Sequence, residues 1–274
     1  MIICKDFIAL NFPKTGSTFV REMIKEIYRK RYTKTFFNKI SYQLNLISLP
    51  YTELLLPNYQ SPNLQNRNRN GQHGAYCQIP EEYNKREIVT VARNPYDIFL
   101  TSYLVKWWSW FYPIEKRELQ KIFVDFPNLT LNEYIALSEL SLENKSGLKI
   151  GLITTQFIRM YFKEPEKVLA AIDEAYINSD LYKTDIAENI TFLRQENLND
   201  ELANYLSKHG FSKDETEFIR KHHKVNATES ITQNKNTLWT KEAVEYVEYN
   251  ERFLFKILKD YGFQYKKPVI LGVL

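Results

Sequence analysis

A lysine, a glycine and two hydroxyl residues stand together directly after an apolar run near the start of the chain. Residues 7–20 read FIALNFPKTGSTFV, with Lys14 and Gly16 followed by Ser17 and Thr18. The apolar run predicts a strand, and the segment with proline and glycine predicts a tight turn. The apolar residues that come next recur at helical spacing and predict a helix. A helix N-terminus offers free N–H groups and a positive dipole end, to which the lysine and the hydroxyls add further donors. We therefore expect this turn to bind a phosphate-bearing ligand.

A second basic residue follows another apolar run, at 88–103, which reads IVTVARNPYDIFLTSY. Its β-branched start is typical of a buried parallel strand. Asn94 is a good helix N-cap and Pro95 a good first helical residue. Arg93 is therefore expected at the carboxyl end of a strand, where open α/β sheets bind ligands. Taken alone, Arg93 is better explained by a structural salt bridge with Asp97.

Together the two segments resemble the PAPS-dependent sulfotransferases. The first turn is not the G-x-x-x-x-G-K-[ST] loop of nucleotide triphosphatases, because Lys14 precedes the glycine. It is similar to the P-K-[ST]-G-[ST]-T loop of enzymes that use 3′-phosphoadenosine 5′-phosphosulfate (PAPS). The segment around Arg93 resembles their second motif, V-x-R-N-P-x-D. The likeness extends over most of the chain and is weakest at 34–69 and 106–151.

The resemblance implies a set of nucleotide-binding residues. In the family, the arginine and a serine eight residues later hold the 3′-phosphate of the nucleotide. The eighth residue here is Thr101, and Ser102 follows it, so either hydroxyl could be the donor. Phe19 stands where the family usually has a tryptophan against the adenine, although an ordinary core position suits it equally well. The cofactor-binding residues implied are Lys14, Thr15, Gly16, Ser17, Thr18, Phe19, Arg93, Thr101 and Ser102.

The resemblance also implies the chemistry. His73 lies 20 residues before Arg93, close to the spacing of the general-base histidine in cytosolic sulfotransferases; a surface histidine and a base role for Glu22 are the alternatives. Lys14 would stabilise the bridging oxygen as it becomes a phosphate. The expected reaction is in-line transfer of a sulfuryl group from PAPS to a hydroxyl or amine of a small-molecule or sugar acceptor. The nucleotide product is 3′-phosphoadenosine 5′-phosphate (PAP), and no metal is required.

An aromatic cluster follows the second motif. Trp107, Trp108 and Trp110 could stack on an acceptor ring or sugar face. Core packing or a contact between protein chains is the alternative.

Composition narrows the function classes. The 274 residues carry 37 Lys and Arg against 33 Asp and Glu, a formal net charge of +4, which is too mild to indicate nucleic-acid binding. Cys4 and Cys77 have neither disulfide nor metal-site spacing. Because the chain lacks an apolar run of ~20 residues and a signal-peptide pattern, we expect a cytoplasmic enzyme without a membrane partner. Its oligomeric state stays open, a homodimer being one option.

The order of elements predicts one α/β domain over 1–274: a three-layer sandwich with a central parallel sheet, a P-loop-like phosphate-binding turn and helix-rich insertions. The predicted elements are a strand–turn–helix unit at 7–32, a strand and helix at 88–108, a helix-rich region at 115–180, a strand at 182–183 or 190–192, and helices at 197–208, 213–223 and 240–261.

Two other functions fit a phosphate-binding turn. These are a Mg-ATP-dependent small-molecule kinase and a non-catalytic nucleotide-binding relative of the sulfotransferases.

Overall fold

The computed structural model describes residues 1–61, 64–142, 148–222 and 238–270. The strands are β1 Ile2–Cys4, β2 Phe7–Ala9, β3 Tyr51–Glu53, β4 Leu56–Pro57, β5 Asn70–Gly71, β6 Glu87–Ala92 and β7 Ile190–Arg194. The helices are α1 Ser17–Tyr32, α2 Phe36–Gln43, α3 Leu64–Arg67, α4 Pro95–Val105, α5 Lys116–Ile122, α6 Leu131–Leu140, α7 Leu152–Tyr161, α8 Pro165–Ala171, α9 Glu174–Asn178, α10 Tyr182–Asp185, α11 Leu198–Lys208, α12 Lys213–Arg220, α13 Lys241–Asn250 and α14 Arg252–Asp260.

The protein is a mixed α/β structure built on a five-stranded sheet of order β3-β1-β2-β6-β7. Strands β2, β6 and β7 pair in parallel, whereas β1 is antiparallel to both of its neighbours. Four strands therefore share one direction and β1 runs against them. Since only two residues separate β1 from β2, the two strands must form an antiparallel hairpin. The parallel strands follow the expected βα pattern and end at the same edge of the sheet.

Successive strand residues face opposite sides of the sheet, and each side has its own core. Ile3, Ile8 and Leu10 belong to the larger apolar cluster. Phe7 and Ala9 belong to the other cluster, which α1 and α11 complete. This alternation is the period of two that a strand imposes. Helices thus cover both faces of the sheet, as parallel strands require.

Several predicted elements differ from those observed. The predicted central sheet is parallel, whereas the observed sheet is mixed, because β1 runs antiparallel to β2 and β3. Strands β1 and β3 are not among the predicted elements, and each is only three residues long. Residues 182–183 lie in α10, so the later strand is the one predicted at 190–192, which extends to Arg194. The helix expected at 240–261 is two helices, α13 and α14, because Glu251 leaves helical geometry between them. Within the described ranges, no helix is both long enough and apolar enough to cross a bilayer.

Trp108 is a central part of the larger core. Its side chain is fully buried, and its indole N–H donates to the carbonyl of Pro127 at 2.9 Å. Its ring lies against Tyr134, with centroids 4.9 Å apart. Trp110, two residues later, is 64% exposed. The aromatic cluster is therefore divided between packing and surface.

We expect Trp108→Ala to lower the free energy of unfolding by about 3–5 kcal/mol, because a large buried side chain and its hydrogen bond are removed. Trp110→Ala is the matched control and should change stability by less than about 0.5 kcal/mol. Urea unfolding of both variants measures the difference. Equal stability losses would contradict the assignment of Trp108 to the core.

Candidate functional site

The turn between β2 and α1 has the backbone geometry of an anion-binding loop. Lys14 and Gly16 have left-handed φ angles of 63° and 92°, and a Cβ on Gly16 would lie 3.0 Å from Leu198. Glycine is thus favoured at position 16 by its left-handed backbone, and a Cβ there would also require the Leu198 side chain to shift. No described side chain caps α1, and its first turn holds no acidic residue. The N–H groups at this helix end therefore face the turn without an anionic partner from their own helix.

Arg93 joins the two sequence motifs. It follows β6, and its guanidinium donates a hydrogen bond of 2.6 Å to the carbonyl of Lys14. Its Nε is buried and has no hydrogen-bond partner among the described residues. Burial lowers the pKa of Arg93, although the carboxylates of Asp97 and Glu196 act in the opposite direction. The guanidinium is thus held beside the turn with one donor still unused.

Lys14 and Arg93 bring two positive charges together. Burial lowers the pKa of the Lys14 ammonium, and the nearby Arg93 charge lowers it further. Such mutual repulsion is relieved when an anion binds between the cations. The site therefore has the electrostatics of a phosphate or sulfate pocket.

The hydroxyl residues of the turn have different positions. Thr15 is buried, and its hydroxyl donates to the carbonyl of Phe12 at 2.9 Å, so it braces the turn. Ser17 is buried at the start of α1. Thr18 accepts a long hydrogen bond of 3.5 Å from the Gln72 amide. This contact brings the segment containing His73 against the helix start.

His73 is fixed to the backbone just after β2. Its Nδ1 lies 2.6 Å from the carbonyl oxygen of Asn11. A carbonyl can only accept, so Nδ1 carries the proton and Nε2 of the neutral ring carries the lone pair. Burial lowers the pKa of His73 below its usual 6.5, which outweighs the opposing hydrogen bond to Asn11. The ring is therefore held as a neutral base near pH 7.

A cavity of about 380 Å³ opens beside these groups. Lys14 and His73 form part of its wall. Its apolar wall includes Phe99, Trp107, Trp110, Phe111, Tyr134 and Tyr246, and its polar wall includes Asn58, Gln60, Ser61, Asn66, Ser102, Ser138, Gln156 and Glu251. Trp108, which the sequence grouped with Trp107 and Trp110, is not part of the wall. A small organic molecule could thus reach both the lysine and the histidine.

The two candidate hydroxyls on α4 point in different directions. Ser102 borders the cavity, and its hydroxyl interacts with that of Tyr134. Thr101 lies one helical turn after Asp97 and therefore shares its face of the helix. Thr101 is not among the residues described around the cavity. The helix thus assigns the two hydroxyls to separate surroundings.

The remaining candidates lie away from the cavity wall. Phe19 is buried in the smaller core, with the ring of His222 edge-on at 5.8 Å, so its packing is that of a core aromatic. Glu22 is half-buried on α1 and is not among the residues described around the cavity. His223, the neighbour of His222, lies outside the described residues. His73 is therefore the better placed of the two candidate bases.

Sequence reasoning missed several groups in the cavity wall. Gln60 is only 2% exposed, and its side-chain oxygen has no hydrogen-bond partner among the described residues. The hydroxyl of Tyr246 is likewise buried without a described partner. Glu251 is a fully buried carboxyl. These residues come from distant segments without a local motif, so only the fold brings them together.

The geometry of His73 predicts its titration. We expect histidine NMR to show the Nδ1–H tautomer and a midpoint below the usual 6.5, because burial disfavours the charged ring. His73→Asn identifies the signal by its loss. A folded pKa below the unfolded value also means that stability falls as pH drops through this range. A midpoint above the usual value, or an Nε2–H tautomer, would contradict the assignment.

Comparison with protein-family models, with curated proteins and with solved structures gives no significant match for this chain. The functional interpretation therefore depends on the two motifs and on the geometry that joins them.

Proposed function

We propose that the protein is a PAPS-dependent sulfotransferase, with a three-layer sandwich fold and a P-loop-like turn that binds the nucleotide. The observation that carries this proposal is the hydrogen bond from Arg93 to the carbonyl of Lys14. It supports a single anion site, because the two motifs of the resemblance meet there. The unused Nε of Arg93 and the α1 N-terminus are suited to the phosphate oxygens of PAPS.

Lys14 would act on the leaving group. PAPS supplies a sulfuryl group bonded to a phosphate that departs with added negative charge. The Lys14 ammonium, held beside the cavity by its left-handed backbone, would neutralise that charge as it develops. An anion beside Lys14 would also raise its lowered pKa, so binding would keep the ammonium charged. Arg93 would orient the nucleotide, with the hydroxyl of Thr101 or Ser102 as a further donor.

His73 would act on the acceptor. Its Nε2 lone pair can take the proton from an acceptor hydroxyl or amine, while Nδ1–H stays on the Asn11 carbonyl. That hydrogen bond also stabilises the imidazolium formed by the transfer. Trp107 and Trp110 would contact the acceptor body, because both border the cavity. In this proposal the residues position the two substrates, neutralise the charge on the leaving phosphate and accept the proton of the acceptor, as transfer of a sulfuryl group requires.

The first test compares nucleotides by thermal shift. PAP without metal should raise the melting temperature, and a ligand at about 100 times its Kd stabilises by about 2.7 kcal/mol. Arg93→Gln should reduce this shift strongly, because the charge and the Nε donor are lost. Lys167→Gln, at a side chain 76% exposed, is the matched control and should keep it. A shift only with Mg-ATP would overturn the proposal in favour of the kinase.

The second test separates chemistry from binding. We expect Lys14→Ala to reduce turnover by orders of magnitude, because the leaving oxygen loses its counter-charge. His73→Gln should reduce turnover by about 10²–10⁴ while PAP affinity stays near wild type. Sulfate transfer from labelled PAPS and PAP calorimetry measure the two quantities. Loss of PAP affinity in His73→Gln would make His73 a nucleotide-binding residue, and unchanged turnover would exclude it as the base.

A further inference from the structure

Glu251 is a buried acid in the cavity wall that the proposed mechanism does not use. It lies between α13 and α14 with its carboxylate at the start of α7. The carboxylate accepts from the backbone N–H groups of Ile153 at 3.2 Å and Thr154 at 2.6 Å, and from the Thr154 hydroxyl at 2.6 Å. An ionised carboxylate has about four lone-pair sites. Three are used, and one remains for another donor.

The charge of this carboxylate has no cationic partner within the part of the chain that the structure describes. No Lys, Arg or His nitrogen of the described chain forms an ion pair with Glu251. Burial raises the pKa of the carboxyl to about 7, against the hydrogen bonds from Thr154 and Ile153. A buried ionised carboxylate is costly unless a positive charge accompanies it. A bound cation would therefore be favoured here.

Aromatic residues supply the rest of a cation site. Phe99, Trp107, Tyr134 and Tyr246 border the same cavity as Glu251. The charge of Glu251 acts on the hydroxyls of Tyr134 and Tyr246, which places both rings near the carboxylate. Ring faces attract ammonium groups, and more strongly where water is excluded. The buried Tyr246 hydroxyl without a described partner adds a polar contact.

We propose that the acceptor is an aryl or alkyl alcohol carrying a protonated amine, which binds to Glu251 and the surrounding rings. This inference rests on the proposed function, since it assigns the second substrate of the same cavity. The amine would occupy the free lone pair of the carboxylate, and the hydroxyl would be presented to His73. The acceptor class is thus narrowed to amino alcohols and aminophenols.

Three phenols of similar shape test the inference by calorimetry without nucleotide, at about pH 8, where an alkyl amine is still protonated. They are tyramine, 4-ethylphenol and 3-(4-hydroxyphenyl)propionate. We expect tyramine to bind about tenfold more tightly than 4-ethylphenol, with the propionate weakest. Glu251→Gln should bring tyramine to the level of 4-ethylphenol. Equal binding in wild type, or a preference that survives in Glu251→Gln, would overturn the inference.

If Glu251→Gln does not fold, the pH dependence of binding by the wild-type protein tests the same inference. The wild-type preference for tyramine over 4-ethylphenol should decline as pH falls through about 7 and Glu251 is protonated. Tyr134 and Tyr246 face the carboxyl but stay neutral, since burial raises the pKa of both. His73→Gln should retain the preference, which excludes the histidine as its cause. A PAP test that fails while the amine preference persists would overturn the sulfotransferase proposal and leave this site intact.

A separate observation concerns α2 and its flanks. Phe36 and Phe37 are 80% and 77% exposed, and Ser41 is the sole buried residue of the helix. The exposed apolar side chains of this segment are Tyr32, Phe36, Phe37, Ile40, Leu44 and Leu46. We call this set the α2 patch. Exposed apolar surface concentrated in this way marks an interaction site.

The charge around the α2 patch identifies its partner. Residues 27–52 contain Arg29, Lys30, Arg31, Lys34 and Lys39 and no Asp or Glu. The chain as a whole is nearly balanced, with 37 basic and 33 acidic residues. In the fold, Glu26 pairs with Arg29 and Lys30, and Glu215 pairs with Arg31 and Lys34. The five cations therefore exceed these two carboxylates by three charges. Exposed aromatic and aliphatic side chains rimmed by cations are typical of helices that lie on anionic membranes.

We infer that the α2 patch rests on an anionic lipid surface, with its phenylalanines at the acyl boundary and its cations among the headgroups. This inference departs from the expectation, drawn from the sequence, that the protein has no membrane partner. Co-sedimentation with phosphatidylcholine vesicles, with and without about 30% phosphatidylglycerol, tests this inference. The bound fraction should rise several-fold with the anionic lipid and fall as salt is added.

Substitutions on the α2 patch provide the control. Phe36→Ser with Phe37→Ser should abolish vesicle binding, because the side chains that enter the lipid are removed. Val124→Ser, at a site 91% exposed on another part of the molecule, should leave it unchanged. Absence of binding by wild type, or equal binding by the double variant, would overturn the inference. A dimer in sedimentation velocity that the double variant dissociates would assign the patch to a second copy of the chain.

Discussion

The hydrogen bond from Arg93 to the carbonyl of Lys14 is the contact on which the rest of the site depends. It is possible because β2 and β6 pair in parallel with Ile8 opposite Ile88, so both strands end at one edge of the sheet. The left-handed conformation of Lys14 turns the backbone at the point where the arginine meets it. The Thr90 hydroxyl donates to the carbonyl of Leu10 at 3.0 Å and ties the strand ends further. Movement of either strand would separate the cations.

This arrangement is costly without a ligand. Two cations are brought together and partly buried, the Arg93 Nε has no described partner, and a lysine adopts a backbone conformation that favours glycine. None of these features stabilises the fold on its own. In natural proteins, residues whose local preferences conflict with the fold occur mainly at functional sites. The departures here converge on one turn, which is the physical reason for assigning it to an anionic ligand.

The sequence predicted the parts of the structure that have a local signature. The turn at Lys14, the strand before Arg93 and the helix capped by Asn94 each combine a period with a distinctive cap or turn residue, and the structure contains them. Strands β1 and β3 were missed because three residues show no period and, unlike the equally short β2, neither leads into a distinctive turn and helix. The break at Glu251 was missed because the sequence shows no local signal for it, and the carboxylate binds the α7 N-terminus, about a hundred residues earlier in the chain. Trp107 and Trp108 are adjacent, and only packing decides which one borders the cavity.

The same distinction separates the two halves of the candidate site. The anion-binding half, with Lys14 and Arg93, is built from short contiguous segments. A substitution there therefore also affects the turn or the strand that positions these residues. The cavity half is assembled from β4–β5, α4, α6, α7 and α13, whose side chains meet only in the folded protein. Substitutions in these helices can therefore change the shape and charge of the cavity while Lys14 and Arg93 keep their positions. The anion-binding turn is thus predictable from motifs, whereas the chemistry of the cavity depends on groups such as Glu251 whose surroundings only the fold creates.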